Sequence, residues 1–228
     1  MRPETALAWL ARVARVLSWP FARFDVDGGD AMNRAVPTGI IIVDHRSLFD
    51  VVAGLIIFHR YQRYPRLLIE KKYVDSKWTR PFARAIGAIP VDRAGGRGEA
   101  FRAAVTALHS GVTILLLPEG RIQYDPERPL GTGKAATGVS RLADASGFPV
   151  IAAGMIGTEQ VWPGSRTLPY LNPFRRRPVI TCRISQTPVA FTGTDHHDRT
   201  EQAMADVRRM MAECQVAAQA RTQRALAA

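Results

Sequence analysis

Apolar residues fall in short runs separated by longer stretches of helical spacing. Gly39-Ile40-Ile41-Ile42-Val43 is short and β-branched and predicts a buried strand. Leu67-Leu68-Ile69, Ile89-Pro90-Val91, Val112 to Leu117 and Pro149 to Met155 predict four more, and Val179 to Ile184 alternates as a sixth. Between them, residues 51–59, 76–86, 99–110 and 134–146 predict helices, with Pro81 in an early turn of the second and Gly87, Gly111 and Gly147 as stops. From about Asp198 the chain predicts a last helix that frays after Arg221. His59 falls at a helix end beside Arg60 and Arg63, as a solvated helix-terminal residue. Residues 25–38, with Gly28, Gly29, Asp30 and Pro37, predict a loop or short hairpin. Strands alternating with helical segments imply an α/β fold, a mostly parallel sheet flanked by helices.

The first segment behaves differently. In residues 4–19, Leu7, Leu10, Val13 and Leu17 recur at helical spacing, with Ala6, Trp9 and Val16 beside them, and Arg12 and Arg15 between. Trp19 and Phe21 follow. This N-terminal amphipathic helix fits a membrane surface, lying in its plane. It also fits a helix docked on the domain's own core. The expected organisation is a membrane-associating helix over residues 1–24 and a single α/β domain over 25–228. No stretch of 18 uninterrupted apolar residues predicts a spanning helix, and the N-terminus makes a poor signal peptide.

Charge narrows the partners. Thirty-one basic and 20 acidic residues in 228 give a formal charge of +11, which favours nucleic acid, anionic lipid or phosphorylated substrates. A long Pro-rich stretch, Trp162 to Pro178, holds Arg175-Arg176-Arg177 among aromatics, a solvated loop or a contact for anionic headgroups. A zinc-finger spacing and an aromatic-rich RNA signature are both lacking, so no nucleic-acid partner is expected. Gly95, Gly96 and Gly98 predict a mobile loop rather than a phosphate-binding loop, because no Gly-Lys-Ser/Thr follows. Cys182 and Cys214 make no disulfide framework and have no metal-ligand partner nearby, which suits a cytosolic setting. His196-His197-Asp198, before a helix, reads as capping and solvated rather than as a metal site.

The candidate chemistry sits at strand ends. His45-Arg46-Ser47-Leu48-Phe49-Asp50 joins the first strand to its helix, where open α/β sheets place ligands. Positions five apart on one helix point roughly 140° away from each other. A turn at His45, with Asp50 in the helix's first turn, brings imidazole and carboxylate together as a base and its orienter. The same spacing fits a capping box in which Asp50 only holds backbone N–H groups. Pro118-Glu119-Gly120-Arg121 ends another strand, where a carboxylate and a guanidinium are costly to leave unpaired. All these motifs fall at carboxyl ends of predicted strands, so His45, Asp50, Arg93, Glu119 and Arg121 are expected on one rim.

Four stretches, in order over roughly residues 35 to 190, resemble the glycerolipid acyltransferases of the 1-acylglycerol-3-phosphate acyltransferase type. Their His-x4-Asp signature is matched by His45 and Asp50. Their Gly-x-Ile-Pro-x-Asp-Arg block is matched by Gly87 to Arg93, their Pro-Glu-Gly block by Pro118 to Gly120, and their Pro-led apolar strand by Pro149-Val150-Ile151. The family usually reads Pro-Glu-Gly-Thr-Arg-Ser; here Arg121 follows Gly120 directly and Ile122-Gln123 follow. The resemblance implies transfer of an acyl group from acyl-CoA or acyl carrier protein, as co-substrate, to a lysophospholipid hydroxyl, with neither cofactor, metal nor covalent acyl-enzyme. It implies His45 as general base and Asp50 as its orienter. Arg93 and Arg121, with Lys71 or Lys72, would bind the acceptor phosphate, and Glu119 and Gly120 would shape the acceptor site. The amphipathic first helix and the Arg175 cluster motivate a separate expectation, work at an anionic membrane surface, peripherally on the cytoplasmic face of the cell membrane. The displaced arginine motivates a second reading with another lysolipid or a glycolipid as acceptor; the net charge motivates a third, a basic nucleic-acid-binding protein. Ser47 as nucleophile draws on no second motif.

Overall fold

The structure is a computed structural model that describes residues 3–92, 98–120, 122, 135–166, 168–170 and 176–227. In chain order its elements are α1 (Pro3–Ser18), β1 (Arg23–Asp27), α2 (Gly29–Ala35), β2 (Ile40–Val43), α3 (Phe49–Arg60), β3 (Arg66–Glu70), α4 (Lys71–Asp75), α5 (Arg80–Ala85), β4 (Ile89–Val91), α6 (Gly98–His109), β5 (Ile114–Leu116), α7 (Gly138–Ser146), β6 (Val150–Ile156), α8 (Thr158–Val161), β7 (Val179–Ile184) and α9 (His196–Ala227). The strands form one sheet in the order β1-β7-β6-β2-β5-β3-β4. Neighbours are parallel except β6 and β7, which pair antiparallel. β2 to β6 therefore point one way, and their carboxyl ends share one rim.

β2 shows why the sheet sits where it does. Successive side chains of a strand point to opposite faces. Ile40 and Ile42 join a core with Ala104, Leu108, Leu142, Val207 and Met211, under α6, α7 and α9. Ile41 and Val43 join the opposite core with Met32, Ala53 and Ile57, under α2 and α3. A strand covered on both faces must be apolar throughout, and this one is.

The prediction over residues 25–38 fails. The segment is neither loop nor hairpin: β1 pairs in parallel with the distant β7, from Arg23 opposite Val179 to Asp27 opposite Arg183, and α2 follows. Gly28 turns one into the other at φ 91°, and a Cβ there would collide with the Ile184 carbonyl oxygen. Elsewhere the 76–86 helix shortens to α5, preceded by the separate turn α4, and the 134–146 helix starts at Gly138. His59 is half-buried, not solvated, with Nδ1 2.8 Å from Tyr64 Oη. Burial, then Arg12 and Arg15, lowers its pKa. α9 does not fray at Arg221 but continues to Ala227. Arg221 pairs with Asp25 on β1, which also holds Arg183 at 3.2 Å, so the sheet edge ties the helix down.

α1 has two working faces. Leu7 and Leu10 pack with Val51 and Leu55 of α3 and Phe82 of α5, and Ala11 is fully buried. Trp9 lies roughly 200° round the helix from Leu7 and is exposed, as are Val16, Leu17 and Trp19, at 64 to 72%. No helix among the described residues is long and apolar enough to cross a membrane.

α9 crosses β6 at Gly154, where a Cβ would overlap the Met211 backbone nitrogen and lie 2.6 Å from Met210 C. Backbone atoms cannot yield as a side chain can. Gly154→Ala is therefore expected to destabilise the fold by about 2–3 kcal/mol, as overpacking does, read as a lowered urea midpoint.

Candidate active site

β2 ends in the core at Val43, and the chain then leaves carrying Asp44, His45, Arg46 and Ser47 before α3 begins at Phe49. Asp44, Arg46, Ser47 and Asp50 are buried, so each needs partners inside the protein. Asp50 lies in the first turn of α3, where the helix end favours a negative charge. Its Oδ2 accepts three hydrogen bonds: from His45 Nδ1 at 2.9 Å, from the Arg46 N–H at 2.7 Å and from the Ser47 N–H at 2.8 Å. The oxygen that holds the two backbone N–H groups of the turn is thus also the one that meets the imidazole. An ionised carboxylate only accepts, so Nδ1 carries the proton and Nε2 is the basic nitrogen. The His45 side chain is 17% exposed and that of Asp50 2%, which seats the ring at the surface and its partner beneath.

Neighbouring strand ends hold the rest of the turn. Glu119, after β5, accepts the His45 N–H at 3.3 Å, and burial raises its pKa. Asp44 Oδ1 accepts the Met155 N–H of β6 at 2.9 Å. Ser47 Oγ accepts the Phe49 N–H at 2.8 Å and donates to Thr158 O at 3.2 Å. That hydroxyl is fully buried and committed to backbone, which argues against Ser47 as a nucleophile. The Arg46 guanidinium reaches Glu159, Nε to Oε2, at 3.3 Å.

Of the residues singled out in the sequence, the structure brings His45, Asp50 and Glu119 together. Glu119 touches the backbone of the His45 turn. Gly120 forms an exposed turn whose N–H bonds Leu117 O. Lys71 and Lys72 stand exposed on α4, paired with Asp75 at 2.5 Å and Glu70 at 2.9 Å, with no bonded contact to His45 or Asp50 among the described residues. The Lys71 pKa is raised by Asp75 and, more weakly, by Asp92 after β4. Arg93, Gly95, Gly96, Arg121 and Arg175 lie outside the described residues. Asp195 caps α9 by accepting the His197 and Asp198 N–H groups, and His196 lies 3.4 Å from Asp144. Asp44, Arg46 and Glu159 were missed. The rule that flagged Glu119, a charge at the end of a buried strand, applies equally to Asp44.

A protein-family model described as Acyltransferase matches residues 24–156, more than half of the chain, and the chain belongs to that family. No curated protein matches it. Among solved structures, it is similar to the 1-acyl-sn-glycerophosphate (LPA) acyltransferase PlsC from Thermotoga maritima, with a TM-score of 0.66 and 19% identity over 92% of this chain and 82% of that one. The shared architecture is the seven-stranded, mostly parallel α/β sheet. Family membership makes the protein an acyltransferase and sets aside a basic nucleic-acid-binding protein as its primary reading.

Burial, then Asp50, pushes the Asp44 carboxyl well above the usual range. An acid so shifted contributes full stability below its unfolded value of about 3.9. That stability is lost as pH rises through the folded pKa. An asparagine in its place would keep an acceptor for Met155 and cannot ionise. The stability of Asp44→Asn relative to the parent is therefore expected to rise with pH from about 4 upward, in urea unfolding at several pH values. A difference that stays flat with pH would contradict a buried neutral carboxyl.

Proposed function

We propose that this acyltransferase moves a fatty acyl group from a thioester, acyl-CoA or acyl carrier protein, to the hydroxyl of a lysophospholipid, with 1-acylglycerol-3-phosphate as acceptor and phosphatidate as product. The observation that carries the reading is the 2.9 Å contact between His45 Nδ1 and Asp50 Oδ2 at the sheet's carboxyl rim. A hydroxyl is a weak nucleophile at neutral pH, and a positioned imidazole removes its proton as it attacks. His45 Nε2 takes that proton while the oxygen adds to the thioester carbonyl. The C–S bond then breaks, and the imidazolium returns the proton to the departing thiolate. Asp50 stabilises the charged ring. Glu119 fixes the His45 backbone. Arg93 and Arg121 are the proposed phosphate ligands, since guanidinium offers a planar fork of donors, with Lys71 and Lys72 at the rim as further cations. Glu119 and Gly120 border the proposed acceptor site. Neither metal nor cofactor is required by this chemistry.

A second reading keeps the chemistry and changes the acceptor to another lysolipid or a glycolipid. It rests on Arg121 standing directly after Gly120.

We further propose peripheral attachment to an anionic membrane, on its cytoplasmic face; the exposed face of α1 supports the attachment. Trp9, Val16, Leu17 and Trp19 face outward, and Arg12 and Arg15 flank them. Arg177 stacks 5.0 Å from the Trp19 ring, adding a cation beside the aromatic.

His45→Ala is expected to lose at least ~100-fold in rate with its fold retained by circular dichroism. An acceptor panel with and without phosphate separates the two readings: best turnover on phosphate-free acceptors would remove the phosphate clamp. Replacing Trp9, Val16, Leu17 and Trp19 together with Ser should release the protein from anionic vesicles in sedimentation, while Leu7 and Ala11 keep α1 docked. Unchanged sedimentation would place the attachment elsewhere.

A further inference from the structure

Arg46 enters the site twice. Its backbone N–H is one of the three donors to Asp50 Oδ2, at 2.7 Å. Its guanidinium is held by Glu159, Nε to Oε2 at 3.3 Å, with Asp44 Oδ2 at 4.0 Å from the same nitrogen. The Arg46 and Glu159 side chains are only 6% and 10% exposed. The same Glu159 oxygen accepts the Gly157 N–H at 3.0 Å, which fixes the carboxylate at the end of β6. One residue along, Ser47 Oγ donates to Thr158 O. The turn that carries His45 is thus bound to the start of α8, just after β6, by two adjacent links. Glu159 stands beyond the last residue that the family model matches, Ile156.

A buried ion pair gives little net stability over an apolar pair of the same volume, because both charges lose their hydration. What this pair does supply is position. Anchoring the guanidinium restrains the turn that places the Arg46 N–H on Asp50 Oδ2, the oxygen that meets the imidazole.

We propose that Glu159 is a positioning residue for the acyl transfer: through Arg46 it holds the His45–Asp50 pair in its reactive geometry. The inference rests on His45 acting as the base. Displacement of a reacting group by about 1 Å costs on the order of 100-fold in rate, so a loosened turn shows in kcat before it shows in the fold.

The test is a mutant cycle of Glu159→Gln, Arg46→Gln and the double variant, assayed with an acyl-CoA and 1-acylglycerol-3-phosphate. Glu201→Gln serves as control, since Glu201 pairs with Arg208 on the exposed side of α9. Each single change is expected to lower kcat by ~10-fold or more while both KM values stay within about twofold. The double variant is expected to fall no more than about threefold below the worse single, because both changes break one link. The control stays at the parental rate. The downfield proton resonance of His45 Nδ1–H is expected to move or broaden in Glu159→Gln without substrate. If Arg46→Gln does not fold, Arg46→Met, which keeps the stem and removes the cation, takes its place. Parental kcat in Glu159→Gln, an unmoved His45 resonance, or losses that multiply in the double variant would overturn the proposal. A parent inactive on these substrates would refute the substrate reading instead, and the resonance would still decide the role of Glu159.

Discussion

One carboxylate oxygen organises the site. Asp50 Oδ2 takes the His45 ring and the N–H groups of Arg46 and Ser47. Charge-assisted bonds of this kind are short and strong, and an oxygen with three of them has little freedom to rotate. Its position follows from the chain: an apolar strand brings the backbone to the rim, a tight turn leaves the core, and the helix that starts at Phe49 presents its first turn to that bend. The turn is held by a charge, and the same charge fixes the tautomer of the imidazole. Structure and chemistry are here a single interaction.

The sheet supplies the surroundings. Because β2, β5 and β6 run in parallel side by side, the residues after each arrive at the same edge. Glu119 comes from one neighbour, Met155 and Glu159 from the other, and both sides close on the His45 turn. The antiparallel pairing of β6 with β7 ends this arrangement, and β1 extends the far side of the sheet. The edge that carries the candidate site is therefore confined to the strands that share one direction.

What could be read from the chain depended on how local the cause was. Ile40 to Val43 announced a doubly covered strand because burial on both faces demands apolar residues at every position. β1 gave no such sign: it contributes only Phe24 and Val26 as apolar residues, and its partner β7 lies at the other end of the chain. Asp50 admitted two explanations, cap or orienter, because spacing fixes which residues meet but not how many bonds one oxygen accepts. Glu159 was invisible, since its link to Arg46 joins residues 113 positions apart and no periodicity carries information over that distance. His59 read as solvated because the Tyr64 hydroxyl and the arginines of α1 reach it only after folding.

The seating of α1 has a geometric consequence. Leu7 and Leu10 rest on Val51 and Leu55, so the N-terminal helix touches α3 directly beside Asp50, which holds the His45 ring. α3 has 12 residues and is about 18 Å long, a stiff rod rather than a tether. In the attachment proposed above, with the outer side of α1 on lipid, helix diameters rather than loop motion would set the height of the imidazole above the bilayer. Such a gauge would sort acceptors by how far their hydroxyl rises from the hydrocarbon, a form of discrimination that needs no contact with the headgroup at all.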